Sequence, residues 1–247
     1  MSKNYEQKIE ESLELLKTEI LDKNLKTTIA FSHQNEDVIN ISLAQKAGII
    51  FDVFTLDTKK LFKESLDYQK EVEDFFGIKI KSFSATQKEI EDLEKKLGDE
   101  GIYRSIELRK ECCSVRKIVP LKEALRGYDA WISGIRSAQS ITRNDTKLFE
   151  YDNAFSLQKL NPLAFFSDED VERYLSENNI PQNSLYAKGF KSIGCEPCTR
   201  AIKSGEDARA GRWWWENPEH KECGLHIKKN NKQSSSYLKK LEDESIY

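Results

Sequence analysis

The sequence predicts a doubly wound α/β fold around a mostly parallel sheet. Short β-rich apolar runs alternate with stretches of helical periodicity through the first hundred residues. One run, 49–56, is apolar apart from Asp52 and Thr55 and has β-branched members, as expected of a strand largely buried on both faces. Polar segments at 32–37 and 56–58 follow two of these runs, at the carboxyl ends of strands where such sheets bind ligands.

Taken in order, residues 6–21 place Ile9, Leu13, Leu16, Ile20 and Leu21 at helical spacing, so an amphipathic helix leads the chain. Residues 27–31 form the first strand. The turn Ser32-His33-Gln34-Asn35-Glu36-Asp37 follows, then a helix over 38–47. The second strand, 49–56, ends at Asp57-Thr58, and another helix runs to about Phe76. Residues 78–83 form the third strand, followed by a charged helix to about Leu97. Residues 129–133, centred on Trp131 and Ile132, give a fourth strand, and 155–160 a fifth. Ser167-Asp168-Glu169-Asp170 is a capping start for a helix through about Glu177. After Gly194, glycines, charges and Trp213-Trp214-Trp215 predict irregular chain. A polar tail begins at Asn230; it carries a short helical pattern over 236–244, in a composition compatible with disorder. The expected organisation is a nucleotide- and cofactor-binding α/β domain over 1–204 and a mobile C-terminal segment over 205–247.

With 247 residues, the chain is long enough for one large domain plus a tail. An apolar fraction of 38% and a charged fraction of 33% allow both a core and a solvated surface. The net charge of -3 provides no global basic field and argues against broad nucleic-acid binding. Residues 1–11 are polar and acidic, without the apolar stretch of a signal peptide. No apolar run approaches the ~20 residues that cross a bilayer. The expectation is a cytoplasmic protein without membrane contact, where thiols stay reduced and paired cysteines bind metal or act in catalysis.

The five cysteines divide into four and one. Cys112-Cys113 and Cys195-Glu196-Pro197-Cys198 form two tight pairs; Cys223 stands alone in Glu222-Cys223-Gly224-Leu225-His226. On a helix, adjacent cysteines diverge by roughly 100°. That is awkward for one tetrahedral ion and suits a cluster whose irons accept separate thiolates. Structural zinc held by four thiolates and buried, non-ligating cysteines are the competing readings. Cys223, beside Gly224 and between His220 and His226, reads as a reactive thiolate or as a small buried hydrophobe.

Glu111-Cys112-Cys113-Ser114-Val115-Arg116-Lys117, Val119-Pro120-Leu121, the 192–199 segment around Cys195 and Cys198, the 205–215 segment with Arg209-Ala210-Gly211-Arg212-Trp213-Trp214, and Glu222 to His226 together resemble assimilatory adenylylsulfate (APS) reductases. These belong to the wider family that includes 3′-phosphoadenylylsulfate (PAPS) reductases. The resemblance covers about residues 25–226. It implies an adenine nucleotide alpha-hydrolase-like fold of the PP-loop type. It implies one 4Fe-4S cluster on Cys112, Cys113, Cys195 and Cys198, the set that marks the branch using APS. It also implies a role in sulfate assimilation and cysteine biosynthesis: Cys223 attacks the sulfate sulfur of APS, AMP leaves, and thioredoxin releases sulfite from the S-sulfo cysteine. The cluster then has a structural or electrostatic role near the sulfate.

APS is a mixed anhydride of phosphate and sulfate, so its pocket needs cations and backbone N–H donors. The 32–37 turn, between strand and helix, is placed for anion binding through its amides. It resembles the family's modified pyrophosphate loop, with His33 at the usual aromatic or small position and no Gly. Leu56-Asp57-Thr58 resembles Leu-Asp-Thr-Gly, with Lys59 in place of Gly. Ser133-Gly134-Ile135-Arg136 and Thr142-Arg143 resemble a Gly-x-Arg-Arg-x-x-Ser region, with Ser137 replacing the second Arg. Ser32, Leu56, Gly134, Arg136 and Arg143 are therefore candidate substrate-binding residues. The resemblance adds Lys117, Arg209, Arg212 and His226 for the sulfate and phosphate. Trp213 to Trp215 read as packing anchors for the segment leading to Cys223, with a partner surface as the competing reading. PAPS reduction, RNA thiolation by a related cluster-bearing PP-loop enzyme, and a zinc-stabilised binding module remain as alternatives. Homo-oligomerisation stays open.

Overall fold

The computed structural model describes residues 3–98, 100–140 and 143–221. Helix α1, Tyr5–Leu16, opens with a reciprocal cap between Asn4 and Gln7. It continues as a widened π turn over Lys17–Leu21, where Thr18 Oγ1 donates back to the Glu14 carbonyl and competes with the helical ladder. Strand β1, Thr27–Ala30, leads through the 32–37 turn into α2, Asn35–Ala47. This helix starts three residues earlier than its apolar pattern predicts. Asp37 reaches back to the Gln34 N–H and closes a cap, so the turn and the first helical turn overlap. Gly48, at φ 73°, ends it. Helix α2 is buried nearly all round because it lies between the sheet and its neighbours, so it lacks the apolar stripe of a surface helix.

Strand β2, Phe51–Leu56, is followed by α3, Lys63–Phe76, and β3, Ile80–Phe83. Helix α4, Gln87–Leu97, begins at a Thr86–Glu89 capping box. Three short helices come next: α5, Gly101–Arg104; α6, Ile106–Cys113; and α7, Val119–Ala124. A π turn over Ser114–Ile118 joins the last two. Strand β4, Ala130–Ile132, precedes β5, Phe149–Asp152, and β6, Leu157–Leu160. The capping sequence at Ser167 starts α8, Asp168–Glu177.

The six strands lie in the order β3-β2-β1-β4-β6-β5. All neighbours are parallel except β5 with β6. Strand β5 escapes the sequence reading because its faces alternate between exposed and half-buried at a sheet edge, with no continuous apolar run. One core layer joins Ile29, Ile39, Ile132 and Leu160 beneath α1, α2 and α8. The opposite face packs Phe54, Trp131 and Leu157 against Leu121 and Leu125. Strand order reverses between β1 and β4, so the crevice at their carboxyl ends is the natural ligand site. Among the described residues, no helix is long and apolar enough to cross a membrane.

Candidate active site

Two adjoining cavities open at these carboxyl ends, and Lys117 lines both. The larger, about 730 Å³, is lined by Cys112, Cys113, Cys195 and Cys198. Helix α6 delivers the first pair, with Cys113 buried and Cys112 half-buried. The second pair sits on a loop held to β2's outlet: the Glu196 N–H donates to the Lys60 carbonyl (2.7 Å), and the Cys195 thiol to Thr58 Oγ1 (3.3 Å). Pro197 starts a tight 3₁₀ turn over Glu196–Cys198. The π turn after α6 brings Arg116 and Lys117 to the same cavity.

The cysteine cavity is electrostatically unfinished as four thiols. Burial, then the neighbouring Cys195, pushes Cys198 up to about 12, and burial raises Cys112 as well. Arg116 Nε at this cavity and Trp213 Nε1, packed with Cys113 and Cys198, are buried donors with no acceptor among the described residues. Among the described residues, no three potential ligands converge on one point that would hold a single metal ion. A soft, multi-centre anionic group that takes a thiolate at each corner and accepts hydrogen bonds fits these donors. An iron–sulfur cluster is such a group.

The second cavity, about 140 Å³, is a cleft over the reversal point. Ser32, Leu56, Gly134, Arg143, Arg209 and Arg212 line it, as the sequence expects, together with Lys117. Arg136 does not. Its guanidinium donates to Glu36 (2.8 Å), the Phe166 carbonyl (3.0 Å) and Asp168 (2.6 Å), beneath the cleft. It fixes the start of α2 to α8 in place of the expected phosphate contact. Gln139 links this layer to the cleft: it donates to Glu36 and accepts from Arg143.

The 32–37 turn also differs from expectation. The Ser32 and Gln34 amides donate inward to Asp37, and the Asn35 amide to the Tyr186 hydroxyl, so these donors do not face the cleft. His33 adopts φ 66° and Lys59 φ 57°, the left-handed conformation that Gly takes freely. Their side chains thus stand at two turns where the sequence already marked a departure from the family pattern.

Arg209 and Arg212 meet on Trp213, with Arg109 as the third cation around its buried ring; centroid distances are 5.9, 4.6 and 4.7 Å. Trp213 is therefore packing, as expected, while Trp214 is 40% exposed. Arg212 reaches back to Ser192 and the Ile193 carbonyl, and the Trp213 amide donates to the Cys198 carbonyl. These contacts join the 209–213 turn to the second cysteine pair. Cys223, His226, Thr142 and the helical pattern at 236–244 lie outside the described residues. The sequence reading missed Arg109, Gln139 and the hydroxyl of Thr58. Arg109 shares a helical face with Cys113, four residues on, and that spacing was the available signal.

The phosphoadenosine phosphosulfate reductase domain model matches residues 2–201. Among curated relatives, the adenosine 5′-phosphosulfate reductase of Agrobacterium fabrum is 51% identical over 176 residues, covering 71% of this chain and 68% of that protein. The reductase of the same name from Burkholderia cepacia is 42% identical over 217 residues, covering 88% and 87%. Among solved structures, the PAPS reductase of Candida auris, in a phosphate complex, aligns with a TM-score of 0.63 at 18% identity, over 82% of this chain and 99% of that one. The FMN adenylyltransferase of Candida glabrata aligns at 0.57 and 14%, over 96% and 82%. The structures share the fold and the sequence relatives share far more; the chain belongs to the phosphoadenosine phosphosulfate reductase family.

Proposed function

We propose that this chain reduces adenosine 5′-phosphosulfate to sulfite and AMP in sulfate assimilation, with Cys223 as nucleophile and thioredoxin as reductant in the cytosol. The junction of the two cavities at Lys117 carries the reading, because it sets a cationic oxyanion cleft directly against a four-thiol cavity. The names of the curated relatives support the substrate.

In this reading Ser32, Leu56 and Gly134 receive the nucleotide, and Arg143, Lys117, Arg209 and Arg212 neutralise the phosphosulfate. In this reading Cys223 acts at the same place. The Lys221 carbonyl accepts from Arg209 (2.9 Å), and two residues of chain reach at most ~7 Å farther. The Cys223 thiolate attacks sulfur, and the bond from sulfur to the bridging oxygen breaks with its electron pair leaving on AMP. His226 lies three residues beyond the nucleophile and is assigned to the same anion. A thioredoxin thiolate then attacks Cys223 Sγ and expels sulfite; its second thiol closes the thioredoxin disulfide and frees Cys223. Cys112, Cys113, Cys195 and Cys198 would hold a 4Fe-4S cluster, which supplies a fixed charge distribution beside the sulfate.

Assays with both nucleotides test the reading. A 3′-phosphate brings about two further charges and needs its own cationic pocket. The expected result is sulfite and AMP from APS with a higher kcat/KM than from PAPS. An equal or higher kcat/KM for PAPS assigns the chain to PAPS reduction, and no sulfite from either ends the reductase reading.

A further inference from the structure

Arg109 is the most deeply buried cation of the site, at 0% exposure, and no part of the proposed chemistry uses it. It projects from α6, the helix that carries Cys112 and Cys113. Its Nε and Nη2 grip both oxygens of Glu216, at 2.9 and 2.7 Å, with Glu216 itself 3% exposed. Nη2 also donates to the His220 carbonyl (2.7 Å). The same guanidinium lies against the Trp213 ring, 4.7 Å from its centroid. A bidentate, buried pair fixes direction as well as distance.

We propose that Arg109 is a positioning residue: it clasps residues 216–220 to the cysteine-bearing helix and fixes where the chain departs toward Cys223. Arg109 holds His220 and Arg209 holds Lys221, so two consecutive carbonyls are pinned by cations from different elements. In the sequence, Cys223 follows two residues after the second pin. The catalytic consequence rests on the reading of Cys223 as nucleophile.

The test is amide hydrogen exchange over residues 216–221 in the iron-loaded protein, with kinetics of Glu216→Gln and Arg109→Lys. In the wild type, exchange over 216–221 is expected to be slow, in step with 209–213; free-chain exchange there overturns the clasp without any variant. In the variants, iron and sulfide per chain and the visible spectrum should stay unchanged. Exchange over 216–221 should accelerate about tenfold or more, as expected for losing a charge-assisted contact. The kcat should fall about tenfold, with KM for APS within about twofold, because neither Arg109 nor Glu216 lines the cleft. Unchanged exchange and kcat in both variants overturns the proposal. So does a loss of iron in step with kcat, which would make Arg109 a support of the cluster alone. If the wild type forms no S-sulfo adduct on Cys223, the nucleophile reading fails, while the exchange data still decide the clasp.

Discussion

Gly194 and Arg212 occupy each other's space. A Cβ on residue 194 would fall 2.6 Å from the Arg212 Cζ. The missing side chain lets the guanidinium lie flat between Gly194 and the Trp213 ring while Nη1 bonds the Ile193 carbonyl. Gly194→Ala should therefore push Arg212 out of the cleft without removing its charge. The expected loss in kcat/KM is about 100-fold, the cost of misplacing a catalytic group by an ångström. Far-ultraviolet circular dichroism should be unchanged. Wild-type kcat/KM in this variant would show that Arg212 does not act on the substrate.

His33 gives the fold a pH dependence. Its ring is 2% exposed, and burial holds the imidazole down at about 4, against 6.5 when free. Between those values the unfolded chain takes up a proton that the folded chain refuses. The stability tied to this group is complete above pH 6.5 and is lost as pH falls toward 4, by about 3 kcal/mol in all. Asp37, raised to about 7 by burial, acts with the opposite sign over the same range. The measurement is therefore a difference: urea midpoints of wild type and His33→Phe at pH 7 and pH 4.5. The variant should lose less stability than the wild type on acidification. Parallel losses would mean that His33 is protonated in the folded state.

The strands of the parallel sheet are legible because burial on both faces writes itself as largely apolar runs, and α8 because Ser167 and Asp170 form its capping box. Lys117, Arg209 and Arg212, singled out from the sequence, do line the cleft. Arg136 misled because an Arg beside Gly134 looks the same in sequence whether it faces a phosphate or Glu36 and Asp168. The choice depends on α2 and α8 converging, which is long-range information. Arg109 and Glu216 were hidden for the same reason: they lie 107 residues apart.

The cysteine cavity has a compositional test. Replacing Cys112, Cys113, Cys195 or Cys198 by Ser substitutes a hard hydroxyl for a soft thiolate. Each variant should lose iron, acid-labile sulfide and the broad absorption near ~400 nm that iron–sulfur thiolates give. Full iron content in all four variants would exclude these side chains as ligands. Zinc in the wild type, without iron or colour, would instead assign a structural four-thiolate site.

In the sequence, Cys223 follows by two residues a carbonyl that Arg209 holds. As the proposed nucleophile, its thiolate would act at the cationic cleft and ligate no cluster. Cys223→Ser should therefore keep iron content, visible spectrum and APS affinity close to wild type, because the cleft residues are unchanged. Sulfite production should collapse by several orders of magnitude, since a hydroxyl at neutral pH is almost entirely protonated and is a poor nucleophile toward sulfur. The intermediate is directly visible by mass. Wild-type protein mixed with APS in the absence of thioredoxin should gain one SO3 group on the peptide that contains Cys223, and subsequent addition of reduced thioredoxin should remove it with release of sulfite. An adduct on a different cysteine, or normal turnover by the Ser variant, would move the chemistry elsewhere and leave Arg209 and Lys221 as structural contacts only.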